Sequence, residues 1–258
     1  TTQDGQDIGM SYLSERGFNE NIIKKFRLGY SLDSNNALFK EAVAKGYNKQ
    51  YLFDTGLCID DKRGGGYDRF KGRVVFPIFS VAGKVIAFSA RTLKNDQAKY
   101  VNSPESTIYK KSNELFGIYQ AKQAIVKQNK CFLVEGNADV VSMHQAGIEN
   151  TIASLGTALT ENQVRMIHRF TENVTVIYDG DSAGIKAALR AINLLLPEGL
   201  NIRILLLPDG EDPDSFARKH NATEFQEYIA AHEVDFIRFK TNLLMADAGS
   251  DPYKRAAL

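Results

Sequence analysis

The sequence predicts an α/β protein in which a basic amino-terminal half precedes a parallel sheet flanked by helices. After residue 129, four short apolar runs alternate with helical patterns, which is typical of the strand–helix–strand units of parallel sheets. The two halves also differ in charge: residues 1–128 hold 20 basic and 13 acidic residues, and residues 129–258 hold 12 and 18. We expect a basic α+β subdomain over 1–128, an α/β subdomain over 129–213 and a truncated helical subdomain over 214–258.

The composition excludes several classes of protein. With 43% hydrophobic and 24% charged residues, the 258-residue chain has a soluble globular composition, and no apolar run reaches the roughly 20 residues of a membrane helix. The two cysteines, Cys58 and Cys131, form no C-x-x-C motif, which argues against zinc and a disulfide framework and fits a reducing cytoplasm. Because the chain opens at Thr1 and stops in "DPYKRAAL", we expect both ends to be cut from a longer protein.

The basic half begins with a helical region and continues into a hairpin. Ser11 to Phe39 is predicted to be helical with glycine stops, and "NKQYLFDTGL" to be another short helix. "DDKRGGGYDRF" is predicted to be a polar loop. "RVVFPIFS" and "KVIAFSAR" are predicted to be two strands that turn at Ala82 and Gly83. No periodicity is evident from Lys99 to Lys111.

The acidic half reads as an alternation of strands and helices. The predicted strands are "CFLVEG", "TIASLG", "VTVIYDGD" and "IRILLLPDG". The helices between them are "DVVSMHQAG", "TENQVRMIHRF" and "SAGIKAALRAINLLL". After Asp214 the pattern predicts helices to the end of the chain and no further strand.

Acidic residues follow three of these four strands. They are Glu135 and Asp139 after the first strand, Asp179 and Asp181 after the third, and Asp209, Glu211, Asp212 and Asp214 after the fourth. In an open parallel sheet the ends of these strands share one edge, where ligands bind. Crowded carboxylates destabilise a fold unless a cation neutralises them, and a ligand set of oxygens alone selects Mg²⁺ or Mn²⁺.

Structural roles compete with this interpretation. Asp181 and Asp212 each precede a predicted helix, and for either residue alone helix capping is favoured. Taken together with Glu135 on another strand, the metal interpretation is favoured. His144 and His168 lie in helical patterns and are expected to pack or face solvent, and Gly64 to Gly66 are expected to form a flexible loop.

The composition of the basic half favours binding of a polyanion. Residues 62–111 hold 11 basic and 3 acidic residues, interleaved with Tyr67, Phe70, Tyr100 and Tyr109. Basic groups follow phosphates and aromatic rings stack on bases. The alternative is that several of these aromatic residues belong to the hairpin core, as expected for Phe76 and Phe79.

Five motifs resemble those of a known family. They are "YDRFKGRVVFPI", "KYVNSPES", "ASLGTALT", "YDGDSAG" and "LPDGEDPDSF". A Glu after the first strand and a D-x-D after the third resemble the TOPRIM fold of topoisomerases and primases. Over nearly its whole length, the chain resembles the RNA polymerase core of bacterial DNA primases of the DnaG type.

The resemblance implies synthesis of RNA primers on single-stranded DNA from ribonucleoside triphosphates, by two-metal nucleotidyl transfer. Glu135 resembles the central catalytic acid of the family, acting together with Asp179 and Asp181. The implied ligands of Mg²⁺ or Mn²⁺ are Glu135, Asp139, Asp179, Asp181, Asp212 and Asp214. The implied DNA- or nucleotide-binding residues are Arg16, Arg91, Lys99, Tyr100 and Lys111, with Lys110 and Lys186 matching less closely.

The resemblance also has limits. Asn137 in "EGNADV" stands where the family usually has an aromatic residue, although the acids on both sides are kept. The family's zinc module and helicase-binding module have no counterpart in the sequence. We therefore expect an isolated catalytic core from a bacterial cytoplasm, where the full protein would act at the replication fork and contact the replicative helicase through the carboxyl-terminal module missing here.

Two other functions fit the same fold. A nuclease of the OLD type would use the metals to activate water, and a RecR-like mediator would bind DNA without catalysis. "KYVNSPES" and the primase-like first half argue against the nuclease, and the complete acid set argues against the mediator. A topoisomerase is disfavoured because no tyrosine module for strand cleavage is evident.

Overall fold

The computed structural model describes residues 2–94, 98–156, 159–179, 181–208 and 210–248. The chain divides into two compact units, residues 1–120 and 121–258, and each is described by itself. The subdomain borders expected from the sequence, after residues 128 and 213, remain predictions. No helix in the described part of the chain is both long enough and apolar enough to cross a membrane.

The first unit combines short helices with antiparallel strands. Its helices are α1 (Ser11–Glu15), preceded by a wider helical segment at Gly5–Met10, α2 (Glu20–Phe26), α3 (Ala37–Ala44) and α4 (Lys49–Asp54), with a 3₁₀ turn at Lys111–Asn113. Its strands are β1 (Gly29–Ser31), β2 (Cys58–Asp60), β3 (Gly66–Asp68), β4 (Arg73–Phe79), β5 (Val85–Thr92) and β6 (Tyr100–Asn102). The next helix, α5 (Ile118–Gln128), begins at the end of this unit.

The predicted hairpin is confirmed and forms the centre of an antiparallel sheet. The strand order is β1-β4-β5-β6, and Phe76 and Phe79 are buried in the core as expected. At the turn, Gly83 has a φ of +86°, and a Cβ there would lie 2.4 Å from the ring of Tyr119. Both the left-handed backbone and the packed ring therefore require glycine at this position.

Three strands of the first unit correct the sequence prediction. β1 lies within the region predicted to be helical and pairs Tyr30 with Val74 of β4. β3 lies within the predicted polar loop and pairs with β2, and β6 lies in the segment without periodicity. Each strand has three residues, which is too short for an alternating pattern to be visible in the sequence.

The second unit contains one five-stranded sheet. Its further strands are β7 (Cys131–Val134), β8 (Thr151–Ala153), β9 (Asn173–Tyr178), β10 (Asn201–Leu206) and β11 (Val234–Asp235). Its helices after α5 are α6 (Asn137–Gln145), α7 (Glu161–His168), α8 (Ser182–Leu195), α9 (Pro213–Lys219), α10 (Ala222–His232) and α11 (Phe236–Ala248), with a 3₁₀ turn at Leu196–Glu198.

The strand order is β11-β10-β9-β7-β8, and the four predicted strands are mutually parallel. This confirms the predicted α/β fold with a parallel sheet flanked by helices. The runs are continuous rather than alternating because all residues of β7 and β8 are buried. The prediction of no strand after Asp214 is wrong: β11 pairs antiparallel with β10, and its two residues are too few to show a strand pattern.

Candidate functional site

The order of the strands brings the predicted acids to one edge of the sheet. β10, β9 and β7 are adjacent, with Leu206 opposite Tyr178 and Leu133 opposite Val176. Because these strands are parallel and end at similar levels, the segments that follow them emerge together. Glu135, Asp179, Asp181, Asp212 and Asp214 all lie on those segments, which we call the acidic edge. Asp209 and Gly180 fall outside the described residues.

The start of α8 is built closely around Asp179 and Asp181. The backbone N–H of Gly184 donates to Oδ1 of Asp181 over 2.7 Å, so Asp181 caps the helix. A Cβ on Gly184 would lie 2.2 Å from the carbonyl oxygen of Asp179, closer than any side chain could come. Gly184, the last residue of "YDGDSAG", therefore lets the first turn of α8 pack directly against the backbone of Asp179, which follows β9.

Asp212 has a similar role at α9. Its Oδ1 accepts a hydrogen bond of 2.6 Å from the backbone N–H of Ser215, and Pro213 occupies the first helical position. The capping role considered for Asp181 and Asp212 is thus present at both residues. Each cap uses one carboxylate oxygen, Oδ1, and both residues are exposed.

A hydrogen-bonded network joins the loop after β7 to the start of α9. Asp139 accepts from the backbone N–H of Gly136 (2.9 Å) and of Asp214 (3.3 Å), one on each carboxylate oxygen. Asp214 is buried, with an exposed fraction of 2%, and accepts from the hydroxyl of Ser142 over 2.5 Å. Arg218 lies 3.5 Å from its other oxygen. Both acids are therefore held by protein groups on both oxygens.

Glu135 and Asp179 differ from these acids. Within the described part of the chain, neither carboxylate accepts a hydrogen bond or forms an ion pair. Desolvation, followed by the charges of Asp179 and Asp181, raises the pKa of Glu135. Desolvation, followed by the charges of Asp212 and Asp181, raises the pKa of Asp179. For both acids, desolvation and the neighbouring carboxylates outweigh any opposing charge, which for Glu135 comes from Arg190.

Repulsion also reaches Asp139. Burial, followed by the charge of Asp212, raises its pKa to about 7, although its two backbone hydrogen bonds act in the opposite direction. The charges of Asp179 and Asp181 raise the pKa of Glu135, and the charge of Asp212 raises the pKa of Asp179. The acids of the acidic edge therefore influence one another's ionisation.

The acidic edge fits a cation site that is completed by water and substrate better than a site in which the protein supplies every ligand. Among the residues that the structure describes, no three side chains of His, Cys, Asp or Glu are grouped closely enough to hold a metal ion. The expectation that Glu135, Asp139, Asp179, Asp181, Asp212 and Asp214 jointly bind a divalent cation remains a prediction. Mg²⁺ commonly takes only one or two carboxylates and completes its shell with water and substrate phosphates. Glu135 and Asp179, which lack protein donors, fit that kind of site.

In the first unit, three of the five predicted nucleic-acid-binding residues lie together. The guanidinium carbons of Arg16 and Arg91 each lie 6.0 Å from the ring centre of Tyr12. Arg91 also lies 5.7 Å from the ring centre of Tyr100 and donates to its hydroxyl over 3.4 Å. Tyr12 was not predicted, because it lies in α1, far along the sequence from Arg91 in β5.

The remaining predicted basic residues are spread along the surface. Lys99 is exposed just before β6, and Lys110 is exposed beside the half-buried Lys111, whose backbone N–H donates to Glu105 over 2.8 Å. Lys186 is exposed on α8 of the second unit.

The interleaved aromatic residues separate into core and surface. Phe70 and Tyr109 are 4% and 1% exposed, so they belong to the core and cannot stack on bases. Tyr100 is half-buried and packs at 6.4 Å against Phe76. Tyr67 is 50% exposed, and it lines a cavity of about 420 Å³ together with Arg69 and Lys71.

Arg69 and Lys71 were not predicted as contacts, although their motif was noted. Lys71 donates to the side-chain oxygen of Asn35 over 2.6 Å, and Arg69 donates to the carbonyl of Gly56 over 2.6 Å. Both partners are neutral, so neither hydrogen bond places a carboxylate against the positive charge. The buried Asp68 in the same wall accepts from the N–H groups of Leu38 and Phe39, which it caps.

The residue that departs from the family pattern lies inside the protein. Asn137 is 7% exposed and is the first residue of α6. His144 is buried and its Nε2 lies 2.9 Å from the carbonyl of Thr151, which confirms a packing role.

Comparison with known proteins gives two matches to family models. The family described as "DNA primase catalytic core, N-terminal domain" matches residues 1–122, and the family described as "Toprim-like" matches residues 132–217. Together these matches extend over both compact units.

Individual proteins give the same result. A DNA primase of Halalkalibacterium halodurans is 40% identical over 240 residues, which are 93% of this chain and 40% of that protein. A DNA primase domain from Pseudomonas aeruginosa has a TM-score of 0.90 at 35% identity and covers 100% of this chain and 81% of its own. A DnaG primase catalytic domain bound to single-stranded DNA has a TM-score of 0.86 at 38% identity, covering 96% and 79%. The chain spans about two fifths of the length of the curated relatives it matches.

Proposed function

Because the chain belongs to the catalytic-core family of DnaG-type DNA primases, we propose that it is a nucleotidyltransferase that builds short RNA primers on single-stranded DNA. Its substrates are ribonucleoside triphosphates, and its work is the priming of DNA replication. The observation that carries this proposal is the acidic edge, where the adjacent parallel strands β7 and β9 are followed by Glu135 and by Asp179 and Asp181.

The cation proposed for this edge is Mg²⁺ or Mn²⁺. The Toprim match supports divalent-metal binding in general, and the oxygen-only side chains favour these hard cations. We assign Glu135, Asp179 and Asp181 as the main ligands, with the second oxygen of Asp212 in reach of the same edge. When bound, the cation neutralises charge on the attacking and leaving oxygens. For Asp139 and Asp214, the hydrogen bonds described above favour a supporting role over the predicted ligation.

The reaction forms one bond and breaks one bond. The 3′-hydroxyl of a primer, or of the first nucleotide, attacks the α-phosphorus of the incoming triphosphate, and the bond to the β-phosphate oxygen breaks to release pyrophosphate. Glu135 is our candidate for receiving the hydroxyl proton, because desolvation, followed by the charges of Asp179 and Asp181, raises its pKa. The rest of the rate acceleration comes from positioning and charge neutralisation.

Template binding is assigned to the first unit. Arg16, Arg91 and Tyr100 supply one cationic and aromatic cluster, and Tyr67, Arg69 and Lys71 supply a second. Lys99 and Lys111 complete the predicted set. Because phosphate contacts release counterions, DNA affinity should fall steeply as salt increases, and a flat response would contradict this assignment.

The location and further partners follow from the proposed activity. A primase acts at the replication fork in the bacterial cytoplasm, and its contact with the replicative helicase would be made outside these 258 residues.

The decisive experiment combines the protein with a single-stranded template, Mn²⁺ and labelled ribonucleotides. We expect labelled RNA of primer length from the native protein and none from Glu135→Gln. Shortened DNA would instead indicate a hydrolase. Template binding that is unaffected by Glu135→Gln, without any RNA product from the native protein, would indicate a binding module.

A further inference from the structure

A cavity of about 400 Å³ opens beside Glu135 in the second unit. Its lining combines one acid, one base, two hydroxyl groups and an apolar wall. These residues are Glu135, Arg190, Ser154, Tyr178, Leu159 and Leu194. The volume lies within the ~300–1,000 Å³ range of small-molecule sites. We call it the Arg190 cavity.

Arg190 supplies the positive charge of this cavity and is exposed. Three other arginines of the unit, Arg165, Arg203 and Arg218, lie within 2.9 to 3.5 Å of a carboxylate oxygen. Arg190 forms no ion pair or hydrogen bond with any residue that the structure describes. Its charge nevertheless acts on both Glu135 and Tyr178, so it is close to each of them. The guanidinium is therefore available to an anion that comes from outside the protein.

The other walls restrict what that anion can be. A simple inorganic anion would use Arg190 but would be repelled by Glu135 and would leave the apolar side uncovered. A purely apolar ligand would remove both charged groups from water without replacing their hydrogen bonds, which is costly. A nucleoside phosphate meets all three requirements: a phosphate for Arg190, hydroxyl or amino donors for Glu135, and ring faces for the leucines.

We propose that the Arg190 cavity binds a nucleoside phosphate unit next to the reacting groups, with Arg190 as a substrate-binding residue. The inference rests on the proposed function, because that function places nucleotides at Glu135. Two sources have the same chemistry, namely the incoming ribonucleoside triphosphate and the 3′-terminal nucleotide of the growing primer. The experiment below separates them.

The first test removes the charge. Nucleotide binding is measured by calorimetry with ATP and GTP in the presence of Mn²⁺, and binding of a template annealed to a short RNA is measured separately. We expect Arg190→Gln to weaken one of these affinities at least tenfold. The matched control is Arg169→Gln on the turn after α7, since Arg169 is exposed and also has no partner among the described residues. It should change neither affinity by more than twofold.

The second test fills the cavity without altering charge. Ala187 lines it from a half-buried position, so Ala187→Leu adds volume in the wall and should cause the same loss as Arg190→Gln. Thermal melting verifies that both variants fold, and if Arg190→Gln fails to fold, Ala187→Leu alone decides the question.

The pattern of losses identifies the occupant. Weaker ATP and GTP binding, with a raised KM in primer extension, assigns the cavity to the incoming nucleotide. Weaker binding of the primed template with an unchanged nucleotide KM assigns it to the primer end. If both variants keep both affinities, the inference is overturned, while primer synthesis by the native protein would leave the proposed function standing. If the native protein makes no primers, the proposed function itself fails.

Discussion

The carboxylates at the two ends of the parallel sheet differ in whether the protein supplies them with partners. At the amino end, Glu233 has Nζ of Lys130 at 2.6 Å, a guanidinium nitrogen of Arg203 at 3.2 Å and the hydroxyl of Thr175 at 3.1 Å. At the carboxyl end, Glu135 and Asp179 have no such partners among the described residues. One carboxylate at the amino end thus has three protein partners, whereas two carboxylates at the carboxyl end have none among the described residues.

This difference separates structural charge from functional charge. A partly desolvated carboxylate without partners lowers stability, and proteins generally keep such groups where they act on a ligand. Glu233 joins Lys130, which precedes β7, to Thr175 of β9 and Arg203 of β10, so its contacts serve the fold. The carboxylates of the acidic edge instead repel one another, and a bound cation would relieve that repulsion.

The largest expected effect comes from replacing Glu135 at the carboxyl end of the sheet by glutamine. Glu135→Gln should lower primer synthesis at least ~1,000-fold, because it removes a proposed ligand and the proposed proton acceptor. Its melting temperature without metal should stay the same or rise, since repulsion is reduced. Labelled-RNA assays and thermal melting in EDTA measure the two quantities.

Glu233→Gln is the matched variant at the other end. It should keep synthesis within about twofold but lower the unfolding free energy by about 1–2 kcal/mol, a value reduced for the partial exposure of Lys130 and Arg203. Equal loss of synthesis in the two variants would remove the distinction between the two ends.

The second expected effect concerns the close contact at the start of α8. Gly184→Ala places a methyl group 2.2 Å from the carbonyl oxygen of Asp179, so the helix start or the acid must move. We expect activity to fall roughly 100-fold and stability to fall by about 1–3 kcal/mol. Gly29→Ala is the control, because a Cβ there meets no atom within 4 Å. Activity of Gly184→Ala close to that of the control would show that the acids tolerate displacement.

The acidic edge could be predicted from the sequence because the residues that indicate it are neighbours in the chain. Each acid directly follows an apolar run, and parallel strands end together, so the order of elements alone places Glu135 with Asp179 and Asp181. The sequence could not predict which acids would be free of protein partners. The hydrogen bond from Ser142 to Asp214 joins residues 72 positions apart, and no spacing rule relates them.

The third prediction concerns pH in the absence of metal. The pKa of Asp139 is raised from 3.8 to about 7, so the folded protein binds more protons than the unfolded chain between these values. This contribution to stability is complete below about pH 4 and is lost as the pH rises through 7. It has a slope of at most ~1.4 kcal/mol per pH unit.

Asp139→Asn isolates that contribution. Relative to the variant, native protein in EDTA should lose stability from pH 5 to pH 8 in denaturant unfolding, whatever constant offset the substitution adds. Adding Mn²⁺ should restore most of the loss at pH 8. Parallel curves for native and variant protein would mean that Asp139 titrates normally.

The smallest expected effect compares two buried hydroxyl groups. Ser142→Ala removes a hydrogen bond to buried Asp214 and should raise the Mn²⁺ concentration for half-saturation about 3- to 10-fold, with a stability loss of about 1–3 kcal/mol. Thr175→Val removes the hydroxyl that Glu233 accepts from at the other end. It should cost similar stability without changing Mn²⁺ binding, as measured by calorimetry. A shift of Mn²⁺ binding in both variants would indicate general loosening of the sheet.

Other parts of the fold were not predicted from the sequence. Helix α5 was not predicted, although Ile118, Ala121 and Ile125 are fully buried and follow helical spacing. β1, β6 and β11 carry no usable pattern because tertiary pairing, not side-chain alternation, makes them strands. In the basic half, composition predicted a charged face but not that Tyr109 would be core and Tyr67 surface.

The two-residue strand β11 sets a lower limit on the length of a self-sufficient catalytic piece. It pairs with Arg203 and Ile204 on the outer side of β10, and Glu233 just before it forms ion pairs with Lys130 and Arg203. A polypeptide that stopped after the acidic motif at Asp214 would contain every proposed ligand, yet its last long strand would offer open amide and carbonyl groups to neighbouring molecules. Such a shortened protein should self-associate, and extension through Asp235 should suppress this.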